Sequence, residues 1–259
     1  MKVDRLSMRR FISRYLWPLM VLIFCVWIVT QVPVAAQTQT TSPKLTAVEQ
    51  RMLNRAQPYF PLINELTDRY WIDMPMRSYI PAQIEKESLW DPRAQLCVPK
   101  PSCSRELGIG FGQFTITPKM NVWAEVKNKH PDLKNWTWEN RFDPRYQVIA
   151  ILVYNKEIYT RCRPLMSNEW GALACTASSY NGGFGGFQAD RRLCGNTAGC
   201  DPTRWTNHIE LTSTKSKVRV PGYGEPFYYI NRGYVKKVMT EFSPKYIPYV
   251  GSGPVEVAK

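Results

Sequence analysis

The segment from Ile80 to Ser88 contains the side chain best suited to acid–base chemistry. On an α-helix, Glu87 lies about 20° from Ile80 and on the same face as Ile84, whereas Glu85 lies about 140° away. We therefore expect Glu87 to face inward and Glu85 to face solvent. An apolar setting removes hydration from a carboxylate and raises the carboxyl pKa, which is the condition for a general acid near neutral pH.

An isolated glutamate of this kind is more often half of an ion pair, here with Lys86 or Arg93, than a catalytic group. Two later segments favour the catalytic interpretation. Residues 108–114 read GIGFGQF, in which glycines allow close approach of the backbone to a ligand and Gln113 can both donate and accept hydrogen bonds. Residues 179–183 read SYNGG and place a phenol and an amide at a predicted helix end.

In this order, the three segments resemble the soluble lytic transglycosylase (SLT) family, which is related to goose-type lysozyme. The family's Glu-Ser matches Glu87-Ser88, its Gly-Leu-Met-Gln matches residues 110–113, and its Ala-Tyr-Asn-x-Gly matches residues 179–183. An Asp-Pro at residues 143–144 and a Tyr-Val-x-x-Val at residues 234–238 match as well. The resemblance covers roughly residues 60–246. It departs from the family at Phe111, Gly112 and Ser179, and in a long cysteine-bearing segment after Gly183.

The resemblance implies a mainly α, lysozyme-like fold with long disulfide-stapled loops. The implied activity is cleavage of the β-1,4 bond between N-acetylmuramic acid and N-acetylglucosamine in peptidoglycan, with formation of a 1,6-anhydro sugar. Glu87 would be the single general acid and base. Ser88 and Gln113 would hold the N-acetyl groups, Tyr180 would hydrogen-bond near Glu87, and Asn181 would line the groove. No metal or organic cofactor is implied.

Other functions remain open from sequence. One alternative is a muramidase, which would use the same acid with water as the attacking group. Another is a non-catalytic wall-binding subunit of an envelope-spanning assembly for secretion, conjugation or phage particles. The formal net charge of +13 suits any polyanion. Nucleic-acid binding rests on this charge alone, since no recognisable module accompanies it.

The first 36 residues resemble an export segment. Basic residues precede an apolar run from Tyr15 to Val29, and Val34-Ala35-Ala36 then precedes Gln37. This pattern favours a signal peptide cleaved after Ala36 over a retained signal anchor, which leaves the rest in the periplasm or cell envelope. We expect residues 37–59 to form a linker and short helix, residues 60–250 the SLT-type domain, and residues 251–259 a tail.

Cysteine usage agrees with export. Apart from Cys25 in the apolar run, six cysteines remain, at positions 97, 103, 162, 175, 194 and 200. An even number in an exported chain predicts up to three disulfides. The pairs 97/103 and 194/200 have the spacing of short loop staples, although the sequence does not fix the pairing. The spacing is wide for zinc, and His130 and His208 are the only histidines.

Apolar periodicity predicts mostly helices. Predicted helices cover residues 45–57 and 61–70, a segment from a Ser78 cap to about Trp90, a segment from an Asp143 cap through Ile158, and residues 168–180 and 231–242. Residues 184–222, rich in glycine and polar residues, are predicted to form a long stapled loop. The apolar and aromatic content excludes a disordered chain.

Overall fold

Helix caps determine where several elements begin in the computed structural model, which describes residues 45–96, 106–219 and 223–253. The side chains of Thr46, Asp143 and Asn168 each accept a hydrogen bond from the first turn of the helix that follows. The Asp143 cap with Pro144 at the first helical position is confirmed. The Ser78 cap is wrong, because its hydroxyl lies 2.6 Å from Ser243 Oγ, where both groups are buried.

The described chain is mainly helical. Its α-helices are α1 (Ala47–Ala56), α2 (Phe60–Tyr70), α3 (Tyr79–Ser88), α4 (Val122–Lys129), α5 (Pro144–Cys162), α6 (Glu169–Gly182), α7 (Phe184–Gly195), α8 (Phe227–Lys236) and α9 (Ser243–Val250). Two short antiparallel strands, β1 (Ile116–Thr117) and β2 (Met120–Asn121), pair with Ile116 opposite Asn121. A 3-10 turn covers Gly110–Gly112, and a π-helical turn covers Lys237–Phe242. Trp205–Ile209 forms a kinked turn whose backbone is non-helical at Thr206 and Asn207.

The hydrophobic core runs between α5 and α6 and extends to α3. Along α5 the buried residues are nearly continuous from Gln147 to Leu152, and α6 is buried from Gly171 to Ser179. Helix α3 packs against the π-helical turn at residues 237–242 and against the 3-10 turn at residues 110–112. The core therefore fixes the three segments singled out in the sequence relative to one another.

Two disulfides are present in the described residues. Cys162–Cys175 joins the end of α5 to α6, and Cys194–Cys200 closes a short loop after α7. The predicted 194/200 pair is thus confirmed, while Cys97 and Cys103 lie outside the described residues. Disulfides persist in oxidising compartments, so the pair of bonds indicates an exported protein.

The predicted loop at residues 184–222 is wrong in its first third, which forms α7. Phe187, Asp190 and Cys194 are spaced three and four residues apart and are all buried, so one face of this helix packs inward despite the glycines that open it. The predicted last helix at residues 231–242 is also too short. It begins at Phe227, and after the π-helical turn the chain continues as α9.

The predicted export segment, residues 1–36, lies outside the described residues, as does the linker up to residue 44. In the part of the chain that the structure describes, no helix has the length and apolar character needed to cross a membrane. The described residues from Thr46 onward belong to one compact unit, which includes α1.

Candidate active site

Glu87 lies in the last turn of α3, where its carboxyl group meets the phenol of Tyr234 from α8. The side chain of Glu87 is half-buried, and Tyr234 is 1% exposed. The Tyr234 hydroxyl donates a hydrogen bond of 2.7 Å to Glu87 Oε1. The inward orientation predicted for Glu87 is therefore found, and its direct partner comes from a helix that lies about 150 residues later in the chain.

The pKa of Glu87 is raised to about 7 by burial, which removes water from the charged form. The hydrogen bond from Tyr234 and the positive charge of Lys86 both act in the opposite direction, because each stabilises the carboxylate. At neutral pH the protonated and ionised forms thus coexist. A group in this state can give up a proton and later take one back, as a combined general acid and base must.

A chain of buried hydrogen bonds determines which way the Tyr234 hydroxyl points. Tyr79 Oη donates to Asn155 Oδ1, Asn155 Nδ2 donates to Gln83 Oε1, and Gln83 Nε2 donates to Tyr234 Oη, at 3.2, 2.7 and 3.1 Å. Because the Tyr234 oxygen accepts from Gln83, its own proton is directed to Glu87. All four members of this chain are buried, so water does not compete for these bonds.

The glycine-rich segment forms a tight turn beside this cluster. Gly110 has φ +62° and Gln113 has φ +46°, so the turn is left-handed at both ends. Tyr180 Oη donates a hydrogen bond of 2.6 Å to the carbonyl oxygen of Gly112. A Cβ at Gly112 would lie 2.8 Å from that hydroxyl, so glycine is what permits the contact. The amide of Phe111 donates to Gln147 Oε1 at 2.7 Å.

Tyr180, predicted to hydrogen-bond near Glu87, donates to the carbonyl oxygen of Gly112 in the glycine turn, and the direct bond to Glu87 comes from Tyr234. Tyr180 is nevertheless near the acid, since burial and then the charge of Glu87 raise its pKa far above the usual value. The same two causes raise the pKa values of Tyr79 and Tyr234. Three neutral phenols thus surround one carboxyl group.

The other predicted binding residues take different positions. Ser88 is buried, and its hydroxyl donates to the Ile84 carbonyl of its own helix at 2.9 Å. Gln113 Nε2 donates to the carbonyls of Gly110 and Ala94, at 2.8 and 3.2 Å, so the side chain stabilises its own turn. Asn181 is exposed near the end of α6, and its Oδ1 accepts a 3.0 Å bond from Asn231 Nδ2. This bond occupies the Asn181 side-chain oxygen, so the Nδ2 group of the same amide points away from Asn231.

Glu85 was expected to face solvent, and that expectation is wrong. Its side chain is 3% exposed, with Oε1 2.6 Å from Lys245 Nζ and Oε2 accepting a 2.5 Å bond from Tyr246 Oη. Helix α9 packs on the face of α3 that the helical pattern predicts to be exposed to solvent. Both carboxyl groups of α3 therefore face the protein. Glu85 forms an ion pair with Lys245, whereas Glu87 accepts a hydrogen bond from the phenol of Tyr234.

Four residues of the site, Tyr234, Gln83, Asn155 and Gln147, were not predicted from the sequence. Tyr234 was noted only as part of the Tyr-Val-x-x-Val match at residues 234–238, and in such a helical pattern a hydrogen-bonding phenol cannot be told from a core side chain. Gln83 offered a usable signal, because an amide one turn before Glu87 on a buried helix needs partners. Gln147 Nε2 also donates to the carbonyls of Pro92 and Arg141, at 2.9 and 3.0 Å, and so anchors the glycine turn.

Two cavities of about 370 Å³ each lie near the site, and Glu87 is not among their lining residues. One contains Tyr154, whose ring lies 5.4 Å from that of Tyr180. The other contains Tyr59 and Trp90, whose rings both contact Phe111. In the described ranges no three histidine, cysteine, aspartate or glutamate side chains gather in a way that could hold a metal ion.

Comparisons with known proteins identify no family for this chain. No family model matches it, and a search of curated proteins finds no sequence match. The chemistry of Glu87 and its neighbours therefore carries the functional proposal.

Proposed function

We propose that the protein is a peptidoglycan lytic transglycosylase with a lysozyme-like helical domain, exported to the periplasm or cell envelope. The observation that carries this proposal is the Glu87 carboxyl group, whose pKa is raised to about 7 by burial and which accepts a hydrogen bond from Tyr234. The glycine turn at residues 110–112 and Tyr180 lie beside it, in agreement with the resemblance of these segments to the SLT family.

The proposed reaction uses one carboxyl group twice. Protonated Glu87 gives its proton to the glycosidic oxygen, and the bond from that oxygen to C1 of N-acetylmuramic acid breaks. The resulting carboxylate then takes the proton of the C6 hydroxyl, and O6 closes on C1 to form the 1,6-anhydro ring. Glu87 gives up one proton and regains one, so it ends the cycle protonated, and no water is consumed. A pKa near 7 favours both steps, because the protonated acid and the carboxylate base are then both accessible at neutral pH.

The surroundings of Glu87 support a mechanism with a single acid. Retaining glycosidases place a second carboxylate about 5 to 5.5 Å away, and inverting ones about 6.5 to 9.5 Å away. Among the charged side chains of the described residues, Lys86 is the one that contributes to the shifted pKa of Glu87. Intramolecular attack by a hydroxyl group of the substrate needs no second carboxylate.

The remaining site residues receive proposed roles from their geometry. Asn181 would donate from Nδ2 to a sugar, since Asn231 occupies its oxygen. Gln113 would present its side-chain oxygen to an N-acetyl amide, since its nitrogen binds its own turn. Tyr180 would hold the turn in place, and Ser88 would accept a hydrogen bond through its oxygen while donating to Ile84.

The test is a comparison of Glu87→Gln with wild type on purified peptidoglycan, with mass spectrometry of the released muropeptides. Loss of the acid should lower the rate by at least about 10²-fold, the usual contribution of general acid–base catalysis. Glu241→Gln, at an exposed position in a surface ion pair, serves as the matched control and should keep full activity.

The products distinguish the alternatives. Anhydro muropeptides support the proposal, whereas products heavier by one water identify a muramidase. Equal release of muropeptides by wild type and Glu87→Gln removes the assignment of Glu87 as the acid. No release by either protein removes the catalytic assignment and favours a wall-binding subunit.

A further inference from the structure

The residues that line the cavity next to the glycine turn have no part in the proposed reaction. Its volume is about 370 Å³, and its lining includes Pro58, Tyr59, Trp90 and Pro92 as apolar walls. Arg55 from α1 and Asp91 from the segment after α3 add one charge of each sign. Both charged side chains are exposed, so a ligand could reach them from solvent.

An unusual backbone conformation builds this cavity. Leu89 and Trp90 have φ values of +52° and +66°, two consecutive left-handed residues that both carry a Cβ atom. Such conformations are disfavoured and tend to persist at functional sites, where surrounding contacts hold them. Here Trp90 Nε1 donates a 2.7 Å bond to Tyr246 Oη, and Asp91 Oδ1 accepts a 2.8 Å bond from the Arg93 amide.

Arg55 and Asp91 do not form an ion pair with each other. Among the described residues no carboxylate lies within ion-pair distance of Arg55, which donates one bond of 3.1 Å from Nη1 to the Leu89 carbonyl. The bond to Leu89 holds the guanidinium in place and leaves further donors for a ligand. Burial and then the negative charge of Asp91 raise the pKa of the Tyr59 phenol, and both residues line the cavity.

We propose that this cavity binds the zwitterionic end of a peptide, with the carboxylate at Arg55, the ammonium group at Asp91 and the connecting carbons against Tyr59. Naming its source rests on the proposed function: in peptidoglycan, the stem peptide that ends in a diamino acid carries both groups close together. A guanidinium and a carboxylate that line the same cavity match this charge pattern.

The cavity is connected to the candidate active site through Phe111 of the glycine turn. The Phe111 ring lies 5.0 Å from that of Tyr59 and 6.0 Å from that of Trp90, edge to face in both cases. A peptide bound against Tyr59 would therefore press on a ring that belongs to the turn beside Glu87. Peptide-bearing glycan would thus be positioned by two contacts, one to the sugar and one to the stem.

The test measures binding of two tripeptides to the full chain by calorimetry. One probe is N-acetyl-L-alanyl-γ-D-glutamyl-meso-diaminopimelate, and the other has lysine in place of diaminopimelate, which keeps the ammonium group and removes the carboxylate beside it. The variants are Arg55→Gln and Asp91→Asn. Their matched controls are Arg51→Gln, one turn earlier on α1, and Asp73→Asn, both exposed and outside the cavity lining.

We expect wild type to bind the diaminopimelate probe about threefold more tightly than the lysine probe, a factor typical of an exposed ion pair. Arg55→Gln should abolish this preference, and Asp91→Asn should weaken both probes by about threefold, while the controls match wild type. Equal binding of the two probes by wild type, or equal binding by Arg55→Gln and Arg51→Gln, overturns the proposal. If the protein binds the diaminopimelate probe selectively but releases no anhydro sugar, the peptide site is supported and the proposed transglycosylase function is overturned.

Discussion

Glu87 combines its proposed role as a proton donor with a cost to the stability of the folded state. Burial raises its pKa to about 7, so the folded protein holds a proton that the unfolded chain releases near the ordinary value of 4.5. Folding stability therefore falls as the pH rises between these two values, and above about pH 7 the full cost is present. A side chain retained at such a cost is typical of a functional site.

This linkage predicts that Glu87→Gln stabilises the protein at alkaline pH only. Glutamine keeps the shape and the oxygen that accepts from Tyr234 but carries no charge. The free energy of unfolding should rise by roughly 2 to 3 kcal/mol at pH 8 and change little at pH 4. Denaturant unfolding at the two pH values checks this, and an equal change at both would show that charge is not the cause.

The hydrogen bond from Tyr234 gives a second prediction at the same carboxyl group. Tyr234→Phe removes a donor that stabilises the carboxylate, so the pKa of Glu87 should rise further. The alkaline limb of kcat/KM, which reports the loss of the protonated acid, should move to higher pH. An NMR titration of the Glu87 carboxyl group measures the same shift without requiring activity.

Tyr229→Phe is the matched control for this variant, because Tyr229 lies on the same helix and is exposed. It should leave the pKa of Glu87 unchanged. A downward shift in Tyr234→Phe would contradict the direction of the hydrogen-bond chain through Gln83 and Asn155.

At the scale of elements, the glycine turn depends on helix α5. Gln147 binds the Phe111 amide on one side and the Pro92 carbonyl on the other, so one buried side chain joins the turn to the segment that follows α3. Gly110 lies against this amide, and a Cβ there would be 2.5 Å from Gln147 Cδ. The sequence showed that the turn was rich in glycine, but the helix that holds it became apparent only in the fold.

Gly110→Ala should therefore destabilise the protein by about 2 kcal/mol or more, since it combines a left-handed backbone with an overlap in a packed site. It should also lower activity by displacing Gln113. Gly233→Ala is the control, because this glycine lies in α8 and a Cβ there would meet no neighbouring side chain within 4 Å. Alanine at this helical position should add about 0.5 to 1 kcal/mol of stability. Thermal and denaturant unfolding measure both variants, and equal stabilities would mean that the turn relaxes freely.

At the scale of the whole molecule, the two disulfides found among the described residues restrain the helical unit. Cys162–Cys175 spans 13 residues in sequence and is fully buried, whereas Cys194–Cys200 spans 6. By loop-closure entropy, alanine at both positions of the first pair should cost about 3 kcal/mol, and at both positions of the second about 2 kcal/mol. Urea unfolding of the two double variants checks the order, and a larger loss from the shorter loop would contradict the entropic account.

The sequence by itself determined the helical class, most helix starts and the inward direction of Glu87, and it indicated the spacing of the Cys194–Cys200 staple without fixing the pairing. These are local properties, because apolar periodicity, caps and short spacing act within a few residues. Tertiary structure alone decided that Glu85 is buried, that α7 replaces a loop, and that Tyr234 is the direct donor to Glu87. Each of these depends on a partner distant in the chain, and a helical pattern specifies which face is apolar but not which element covers the other faces.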